Sequence, residues 1–520
     1  MRVSRIRSAV ACLAAALLVV TGMVTTASGA AAAAEDDGAD CPVSLPGSFP
    51  SSAKLPDPFK KIDGTRITSK SDWRCRREEI KKLAERTIYG QKPAKPASVT
   101  GTVSATNITV NVSENGRSAS FSAGVRLPGG TGPFPAVFVV GGFGADTATI
   151  KASGAAVISY DPLAVGKEGT PRNNKQGAFY SIYGSSSSTG LLAAWAWGVS
   201  RIIDVIEQSG GSVLKAGALG VTGCSRYGKS AFAIGVLDQR IALTMPIESG
   251  TAGVPALRSI PTESGSQGLG NAYGEQPWFG DAFSAYTGNP AGLPVDTHEL
   301  VGMVAPRGLF IMENPHIDWL GARSGSVAAL AGAEVYQALG AGGNISYWSD
   351  VQDGTHCASR PEWRTPLQQN IQKFLLKTGT AAGTFRISAK KPGNLAEWRD
   401  WTTPVLTDGP GTTTTPTTPT TPAGDGCTAA VSVNQWTGGF VTTIRVTAGA
   451  TPITAWTVTA NLPAGAAVTS AWNAGRSGDT GTVRFTNTGS NGALAAGQST
   501  EFGYQGTGTG TGTTAACATG

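Results

Sequence analysis

One short segment of the chain carries residues that could do chemistry in two ways. Residues 223–230, GCSRYGKS, include Ser225 between two glycines and Lys229 directly after the second glycine. The segment satisfies G-x-x-x-x-G-K-[ST], in which backbone N–H groups cradle phosphates and the lysine contacts the β- and γ-phosphates. It also places Ser225 where a sharp turn between a strand and a helix would expose a nucleophilic hydroxyl. Gly228 stands three residues after the serine instead of two, and both motifs need a strand, a loop and a helix.

The rest of the chain favours the nucleophile over the phosphate loop. Cys224 adjoins Ser225 and Cys357 adjoins His356, so a disulfide between them would bring the serine and the histidine together. His356 follows the last clear predicted strand, in the order nucleophile, acid, histidine of α/β-hydrolases. The chain also begins like a secreted protein, and nucleoside triphosphates are scarce outside cells. We therefore interpret Ser225 as a nucleophile and His356 as its general base.

The histidine needs a carboxylate that fixes its tautomer and stabilises the imidazolium. Glu248 ends the predicted strand after the elbow helix, whereas Asp318 and Glu313 follow a later strand, where many hydrolases of this fold carry their acid. Asp353 is too close to His356 in sequence for its geometry to be inferred. On spacing alone, Glu248 and Asp318 are equal candidates.

Apolar strands alternate with helices around these residues. A helix is expected to begin around Lys229, and residues 191–207 have helical periodicity. The alternation predicts a mostly parallel sheet with helices on both faces, the three-layer α/β/α sandwich of the α/β-hydrolase fold. The segments expected to form strands are 135–140, 155–160, 218–222, 241–247, 308–312 and 344–349.

Composition limits the possible partners. The net charge of +6 includes Arg2, Arg5 and Arg7, and without them it is +3, which leaves no basic patch for nucleic acid. Only 15% of the residues are charged, against about 25% in average proteins. The three histidines, 298, 316 and 356, are too few to favour a multi-histidine metal site. We expect no metal, no cofactor and a monomer.

The ends of the chain divide it into four parts. Residues 1–34 have a basic start, a short apolar run and small residues, which predicts a secretory signal peptide and an extracellular protein. The remaining chain has no apolar stretch of 18 residues, so we expect no membrane association. Residues 408–426, DGPGTTTTPTTPTTPAGDG, predict an extended linker. It separates a hydrolase domain, 35–407, from a β-sandwich, 427–520, whose alternating runs are separated by turn residues.

Six cysteines remain after the signal segment, which predicts disulfides in an oxidising compartment. Six cysteines allow 15 pairings. Division by domain favours Cys41–Cys75, Cys224–Cys357 and Cys427–Cys517.

The heptapeptide at 223–229 resembles the signature of glucuronoyl esterases, carbohydrate esterase family 15. The segments AWAWG at 194–198, SRIID at 200–204 and IESG at 247–250, with His356-Cys357, are also similar to that family. The resemblance covers roughly residues 40 to 395. It implies a metal-free serine esterase that cleaves the ester between 4-O-methyl-glucuronic acid on xylan and the alcohols of lignin.

The resemblance also implies roles for single residues. Ser225 would be the nucleophile, His356 the base and Glu248 the acid. The resemblance therefore favours Glu248 over Asp318 as the acid. Some bacterial members use the later acid position, so Asp318 remains a reserve. Arg226 would stabilise the oxyanion through its backbone N–H and its guanidinium.

Four further residues would bind the sugar. Lys229 would hydrogen-bond hydroxyls of the uronate ring, Gln267 and Glu275 would read other hydroxyls, and Trp319 would line the sugar face. The resemblance also implies the Cys224–Cys357 and Cys41–Cys75 bridges.

The tail resembles a family 2 carbohydrate-binding module. Its similar segments are NQW at 434–436, TAW at 454–456, AWNA at 471–474 and FGY at 502–504. By this resemblance Trp436 and Trp472 belong to a flat strip that stacks on cellulose, and Trp456 is a core residue. Ser490 stands where a third strip aromatic is expected. That difference predicts weaker cellulose binding and leaves xylan as a second possible ligand.

Together with the predicted signal peptide, the two resemblances imply a secreted 4-O-methyl-glucuronoyl methylesterase that acts on plant cell-wall polysaccharide. One alternative is another polysaccharide esterase, such as an acetyl xylan esterase. The other is a carbohydrate-binding protein with an inactive hydrolase domain. Arg226 and Lys229 beside the nucleophile favour a uronate substrate, because an acetyl group needs no sugar-reading cation.

Overall fold

The computed structural model describes residues 34–408, 426–436, 439–489 and 491–519. The chain divides into two compact units, Met1–Gly411 and Thr412–Gly520. Nearly all of the expected signal peptide, and all of the expected linker except its end residues, lie outside the described residues. Ser490 and the side chain of Trp436 also lie outside them.

The first unit contains helices and strands in alternation. Its helices are α1 Lys70–Ala84, α2 Thr147–Ala152, α3 Ala178–Tyr183, α4 Leu191–Gln208, α5 Arg226–Leu237, α6 Leu269–Glu275, α7 Thr297–Val304, α8 Ala322–Ala338 and α9 Pro361–Ile371. Its strands are β1 Ser98–Val103, β2 Asn107–Glu114, β3 Arg117–Arg126, β4 Phe134–Val140, β5 Ala156–Tyr160, β6 Leu214–Cys224, β7 Ile241–Ile247, β8 Gly308–Met312, β9 Ile345–Trp348 and β10 Phe385–Arg386.

The ten strands form one sheet in the order β1-β2-β3-β5-β4-β6-β7-β8-β9-β10. The pairs from β5 to β10 are parallel, whereas β1, β2 and β3 join the edge of the sheet in antiparallel pairs. The predicted α/β-hydrolase fold is confirmed. The antiparallel edge was not among the strands expected from the sequence.

Apolar side chains cover both faces of the sheet, as the central strand β4 shows. Phe138 and Val140 belong to one hydrophobic core, and Val137 and Val139, which point to the opposite face, belong to another. A strand buried on both faces needs a continuous apolar sequence, which explains the FPAVFVV run of β4. The sheet therefore holds the carboxyl ends of its parallel strands in fixed positions.

The expected start of the elbow helix was wrong by three residues. The helix begins at Arg226 and not around Lys229, because the strand runs to Cys224 and Ser225 alone forms the turn. Apolar periodicity cannot detect this start, because the first turn of the helix carries polar residues.

The N-terminal segment is attached to α1. Cys41 is bonded to Cys75, with Cα atoms 5.4 Å apart. Asp37 contacts the guanidinium groups of Arg74 and Arg77 at 2.7 and 2.6 Å. No helix among the described residues is both long enough and apolar enough to cross a membrane.

The second unit is an all-β domain with two four-stranded antiparallel sheets. Trp456 lies in their shared core, stacks on Phe502 and donates from Nε1 to the carbonyl of Asn491 at 2.8 Å. Cys427 and Cys517 are bonded across the domain. One sheet consists of β11 Cys427–Trp436, β12 Gly439–Ala448, β17 Ser499–Thr507 and β14 Ala467–Trp472, and the other of β15 Gly475–Ser477, β16 Thr482–Thr486, β13 Trp456–Asn461 and β18 Thr514–Thr519.

Candidate active site

Ser225 forms a sharp turn between β6 and α5. Its φ of 60° lies in the left-handed region, which residues other than glycine rarely adopt. Its N–H donates to the carbonyl of Ile247 on β7 at 3.0 Å. Backbone strain of this kind concentrates at functional sites. Here the turn places Ser225 at the carboxyl edge of the sheet.

The glycines on both sides of Ser225 make this turn possible. A Cβ on Gly223 would lie 2.5 Å from the carbonyl oxygen of Tyr227, and one on Gly228 would lie 2.4 Å from that of Ile247. Both distances are shorter than any real contact, so neither position accepts a side chain. Gly228 stands three residues after the serine because that position faces β7, where a side chain would not fit. A phosphate loop would need several residues between strand and helix, and only Ser225 lies there.

His356 lies in the loop after β9 and contacts Glu248 at the end of β7. Its Nδ1 is 2.6 Å from Oε2 of Glu248, so the ring donates from Nδ1 to the carboxylate. Its Nε2 has no hydrogen-bond partner in the part of the chain that the structure describes. This tautomer leaves Nε2 with a lone pair, which a general base requires.

The carboxylate of Glu248 is itself held by several donors. Glu248 is fully buried and has a φ of 45°. Its Oε2 accepts from the N–H of Cys357 at 2.8 Å, and its Oε1 accepts from Nδ2 of Asn314 at 3.3 Å. The guanidinium of Arg360 lies 3.5 Å from Oε1. Buried carboxylates need such partners, and these fix the orientation of the acid.

A disulfide joins the loops of the serine and the histidine. Cys224 and Cys357 are bonded with Cα atoms 5.8 Å apart, and each is the chain neighbour of Ser225 or His356. The structure therefore brings the elbow, the histidine loop and Glu248 together. Cys224, Glu248, His356 and Cys357 are close enough to suggest a metal site, but both sulfurs are in the disulfide and cannot act as thiolate ligands.

Asp318, the reserve acid, pairs with a lysine. Its side chain is 63% exposed and its carboxylate is 2.9 Å from Nζ of Lys391. The neighbouring Trp319 contacts His356 edge-on, with ring centroids 4.7 Å apart. Of the two acids that spacing left equal, only Glu248 bonds to His356.

A cavity of about 220 Å³ opens beside the serine. Lys229 is buried at its base and donates from Nζ to the carbonyl of Ser249 at 2.6 Å. Gln267 donates from Nε2 to Glu275 at 2.6 Å, so these two polar side chains form one hydrogen-bonded wall. The lining residues are Ser225, Arg226, Lys229, Gln267, Glu275, Trp278 and Trp319.

The sequence analysis did not identify two residues of this site, Glu168 and Trp278. Glu168 accepts from the guanidinium of Arg226 at 2.9 Å and from Nε1 of Trp278 at 2.7 Å. Glu168 thereby fixes the positions of both Arg226 and Trp278 in the cavity wall. The side chain of Arg226 remains 38% exposed, and its guanidinium lies 3.8 Å from the carboxylate of Glu275. Both missed residues lie in loops, where neither periodicity nor a motif distinguishes them.

Burial shifts the pKa values of two side chains in this region, Lys229 of the cavity lining and Glu313. Burial lowers the pKa of Lys229 to about 8, although Glu275 and Glu313 oppose that change. Burial also raises the pKa of Glu313 well above its ordinary value, and the charge of Glu248 adds to this effect.

Comparisons with known proteins identify the family of each unit. A family model for fungal glucuronyl esterases matches residues 110–340, and one for a cellulose binding domain matches residues 427–520. The 4-O-methyl-glucuronoyl methylesterase of Hypocrea jecorina is 38% identical over 378 residues, 71% of this chain and 80% of the relative. The chain belongs to the glucuronoyl esterase family. It is a serine-type carboxylic ester hydrolase with a C-terminal carbohydrate-binding module.

Other glucuronoyl esterases are similar in sequence and structure. The 4-O-methyl-glucuronoyl methylesterase of Thermothelomyces thermophilus is 38% identical over 69% of this chain and 90% of its own. The catalytic domain of the Hypocrea jecorina esterase has a TM-score of 0.66 and 36% identity, covering 70% of this chain and 100% of that domain. A serine-to-alanine variant of the Sporotrichum thermophile enzyme, solved with methyl 4-O-methyl-β-D-glucopyranuronate, has a TM-score of 0.66 and 37% identity, covering 70% of this chain and 99% of that one.

The module of this glucuronoyl esterase presents one described tryptophan to solvent. Trp472 is 42% exposed and lies against Gly503 on the neighbouring strand, where a Cβ would come 2.3 Å from its ring. The glycine lets the indole lie flat on the sheet with its outer face free.

Proposed function

We propose that this esterase hydrolyses the ester between glucuronic acid side chains of xylan and lignin alcohols through Ser225, His356 and Glu248. The observation that carries the proposal is the polar cavity beside Ser225, with Arg226, Lys229 and the Gln267–Glu275 pair in its wall. A hydroxylated sugar ring needs such donors and acceptors, whereas an acetyl group has no hydroxyls to bind.

The reaction begins when Oγ of Ser225 attacks the ester carbonyl at C6 of the uronate. Nε2 of His356 takes the proton, and Glu248 stabilises the imidazolium through Nδ1. The backbone N–H and guanidinium of Arg226 stabilise the oxyanion, and losing one such donor typically slows a reaction roughly 10²–10³-fold. The position of Arg226 at the first turn of α5, held by Glu168, supports this role.

The alcohol leaves with the proton from His356, which forms an ester between Ser225 and the uronic acid. His356 then takes a proton from water, the hydroxide attacks the acyl carbon, and the proton returns to Ser225 as the uronic acid leaves. Lys229, Gln267 and Glu275 hold the ring hydroxyls, and Trp319 covers the sugar face. No step requires a metal or a cofactor.

The rest of the chain would bring this reaction to plant cell walls. Residues 1–34 would be removed as a signal peptide, and 408–426 would link the esterase domain, 35–407, to the module, 427–520. The three disulfides suit an extracellular protein. Trp436 and Trp472 would bind cellulose or xylan, and the protein would act as a monomer.

A comparison of two substrates tests the proposal. We expect alcohol release from benzyl glucuronate and negligible acetate release from acetylated xylan at equal enzyme concentration. Preferential deacetylation would assign the protein to the acetyl xylan esterases. If folded protein acted on neither substrate, its hydrolase domain would be an inactive one attached to a binding module.

A further inference from the structure

The structure exposes two aromatic side chains near the reaction centre. Among the described residues of the esterase unit, the large hydrophobic side chains that are exposed are Phe143, Trp319 and Val405. Trp319 lines the uronate cavity and contacts His356. Phe143 is 47% exposed and does not line that cavity. An exposed phenylalanine ring beside an active site offers an apolar face on which an aromatic ligand can pack.

The loop that carries Phe143 is fixed against the catalytic disulfide. It follows β4, which pairs with β6, the strand that ends at the nucleophile. A Cβ on Gly144 would lie 2.4 Å from Cβ of Cys224 and 3.1 Å from Cβ of Cys357. The loop therefore lies directly on the bridge between the loops of Ser225 and His356.

The ring of Phe143 is held in place from below. It packs edge-on against Tyr227, two residues after the nucleophile, with ring centroids 5.4 Å apart. Gly141 and Gly142 have φ values of 70° and 78°, and a Cβ on Gly141 would enter the Tyr227 ring. Glycines at these positions bring the loop down onto Tyr227 and leave Phe143 facing solvent.

An ester has two sides, and the cavity accounts for only one. The uronate side of the scissile bond occupies the cavity lined by Arg226 and Lys229. The alcohol leaves from the other side of the carbonyl carbon, outside that cavity. Among the described residues of the esterase unit, Phe143 is the exposed aromatic outside the uronate wall, and it packs on Tyr227, two residues after the nucleophile.

We propose that Phe143 binds the aromatic ring of the leaving alcohol and makes the enzyme prefer arylalkyl esters over small alkyl esters. This inference rests on the proposed function and names the residue that binds the alcohol side of the ester. Paired aromatic rings contribute enough beyond area burial for a preference of about 2- to 13-fold.

The test compares benzyl glucuronate with methyl glucuronate in the full-length protein. The readout is the ratio of the two kcat/KM values. Phe143→Ala should lower that ratio about 2- to 13-fold, and Phe143→Trp should restore it. Val405→Ala, which changes an exposed residue 68% accessible to solvent, is the control and should keep the wild-type ratio.

The outcomes separate this inference from the proposed function. An unchanged ratio in Phe143→Ala, or an equal loss on both esters, would overturn the role of Phe143, because the residue would then serve only the loop. Failure of the wild type on both esters would instead overturn the proposed function itself.

Discussion

Glu248 holds His356 twice, once through the ring and once through the backbone of the next residue. Its Oε2 lies 2.6 Å from Nδ1 of His356 and accepts from the N–H of Cys357 at 2.8 Å. One carboxylate oxygen therefore orients the imidazole and anchors the loop that carries it. The acid at this site has a positional role as well as an electrostatic one.

The first prediction concerns which acid serves His356. Glu248→Gln should lower kcat on benzyl glucuronate roughly 10³–10⁴-fold, because the amide favours the wrong tautomer and leaves the imidazolium unpaired. Asp318→Asn should stay within a few-fold of wild type, since Asp318 pairs with Lys391. Steady-state kinetics on both variants decide the question. A large loss in Asp318→Asn with little change in Glu248→Gln would move the acid to the later strand.

The second prediction concerns the Cys224–Cys357 bridge. Replacing both cysteines by serine should lower kcat roughly 10²-fold, the effect of a displacement near 1 Å between reacting groups. The Cys41→Ser, Cys75→Ser double variant is the matched control, because it removes a bridge that joins the N-terminal segment to α1 and adjoins neither Ser225 nor His356.

Both double variants should lose unfolding stability, since each opens a loop that the bridge had closed. Circular dichroism would establish that the variants are folded before kcat is measured. Equal losses of kcat in the two double variants would contradict a positioning role for Cys224–Cys357.

The third prediction is a pH dependence of substrate binding. The pKa of Lys229 is about 8, so its ammonium is present below that pH and is lost above it. Because a neutral amine binds hydroxyl oxygens less strongly, KM should rise by up to about tenfold between pH 7 and pH 9. Initial rates corrected for spontaneous ester hydrolysis would measure it.

Lys229→Met should raise KM at every pH and remove this alkaline rise. Lys215→Met, which changes an exposed lysine of β6, should keep the wild-type profile. An alkaline rise that persisted in Lys229→Met would show that another group titrates there.

The fourth prediction concerns the module. Trp472→Ala in the full-length chain should weaken adsorption to insoluble cellulose or xylan about tenfold, the effect of losing about 1.4 kcal/mol of stacking. Arg445→Ala, on an exposed pair with Glu501, is the control. Depletion isotherms would measure both variants. Unchanged adsorption in Trp472→Ala would exclude this indole from the binding face.

The sequence predicts what depends on local patterning. Buried parallel strands are continuous apolar runs, so β4, β7 and β8 could be located to within about one residue. The antiparallel strands β1 to β3 were missed, because one face of each meets solvent and their apolar residues are spaced more widely.

The candidate site shows the same limit. Ser225 and His356 could be linked through their cysteine neighbours, and motif resemblance named Glu248. Glu168 and Trp278 could not be inferred, because they meet Arg226 only after two distant loops fold together. Distances between loop side chains depend on tertiary packing, which local spacing does not contain.

The most direct test of the whole account is the turnover of benzyl glucuronate by Ser225→Ala. Ser212→Ala, an exposed serine in a turn, serves as the matched control. The account predicts that Ser225→Ala retains its fold and loses at least about 10⁴-fold in kcat, while Ser212→Ala matches wild type. Activity of folded Ser225→Ala within tenfold of wild type would contradict it.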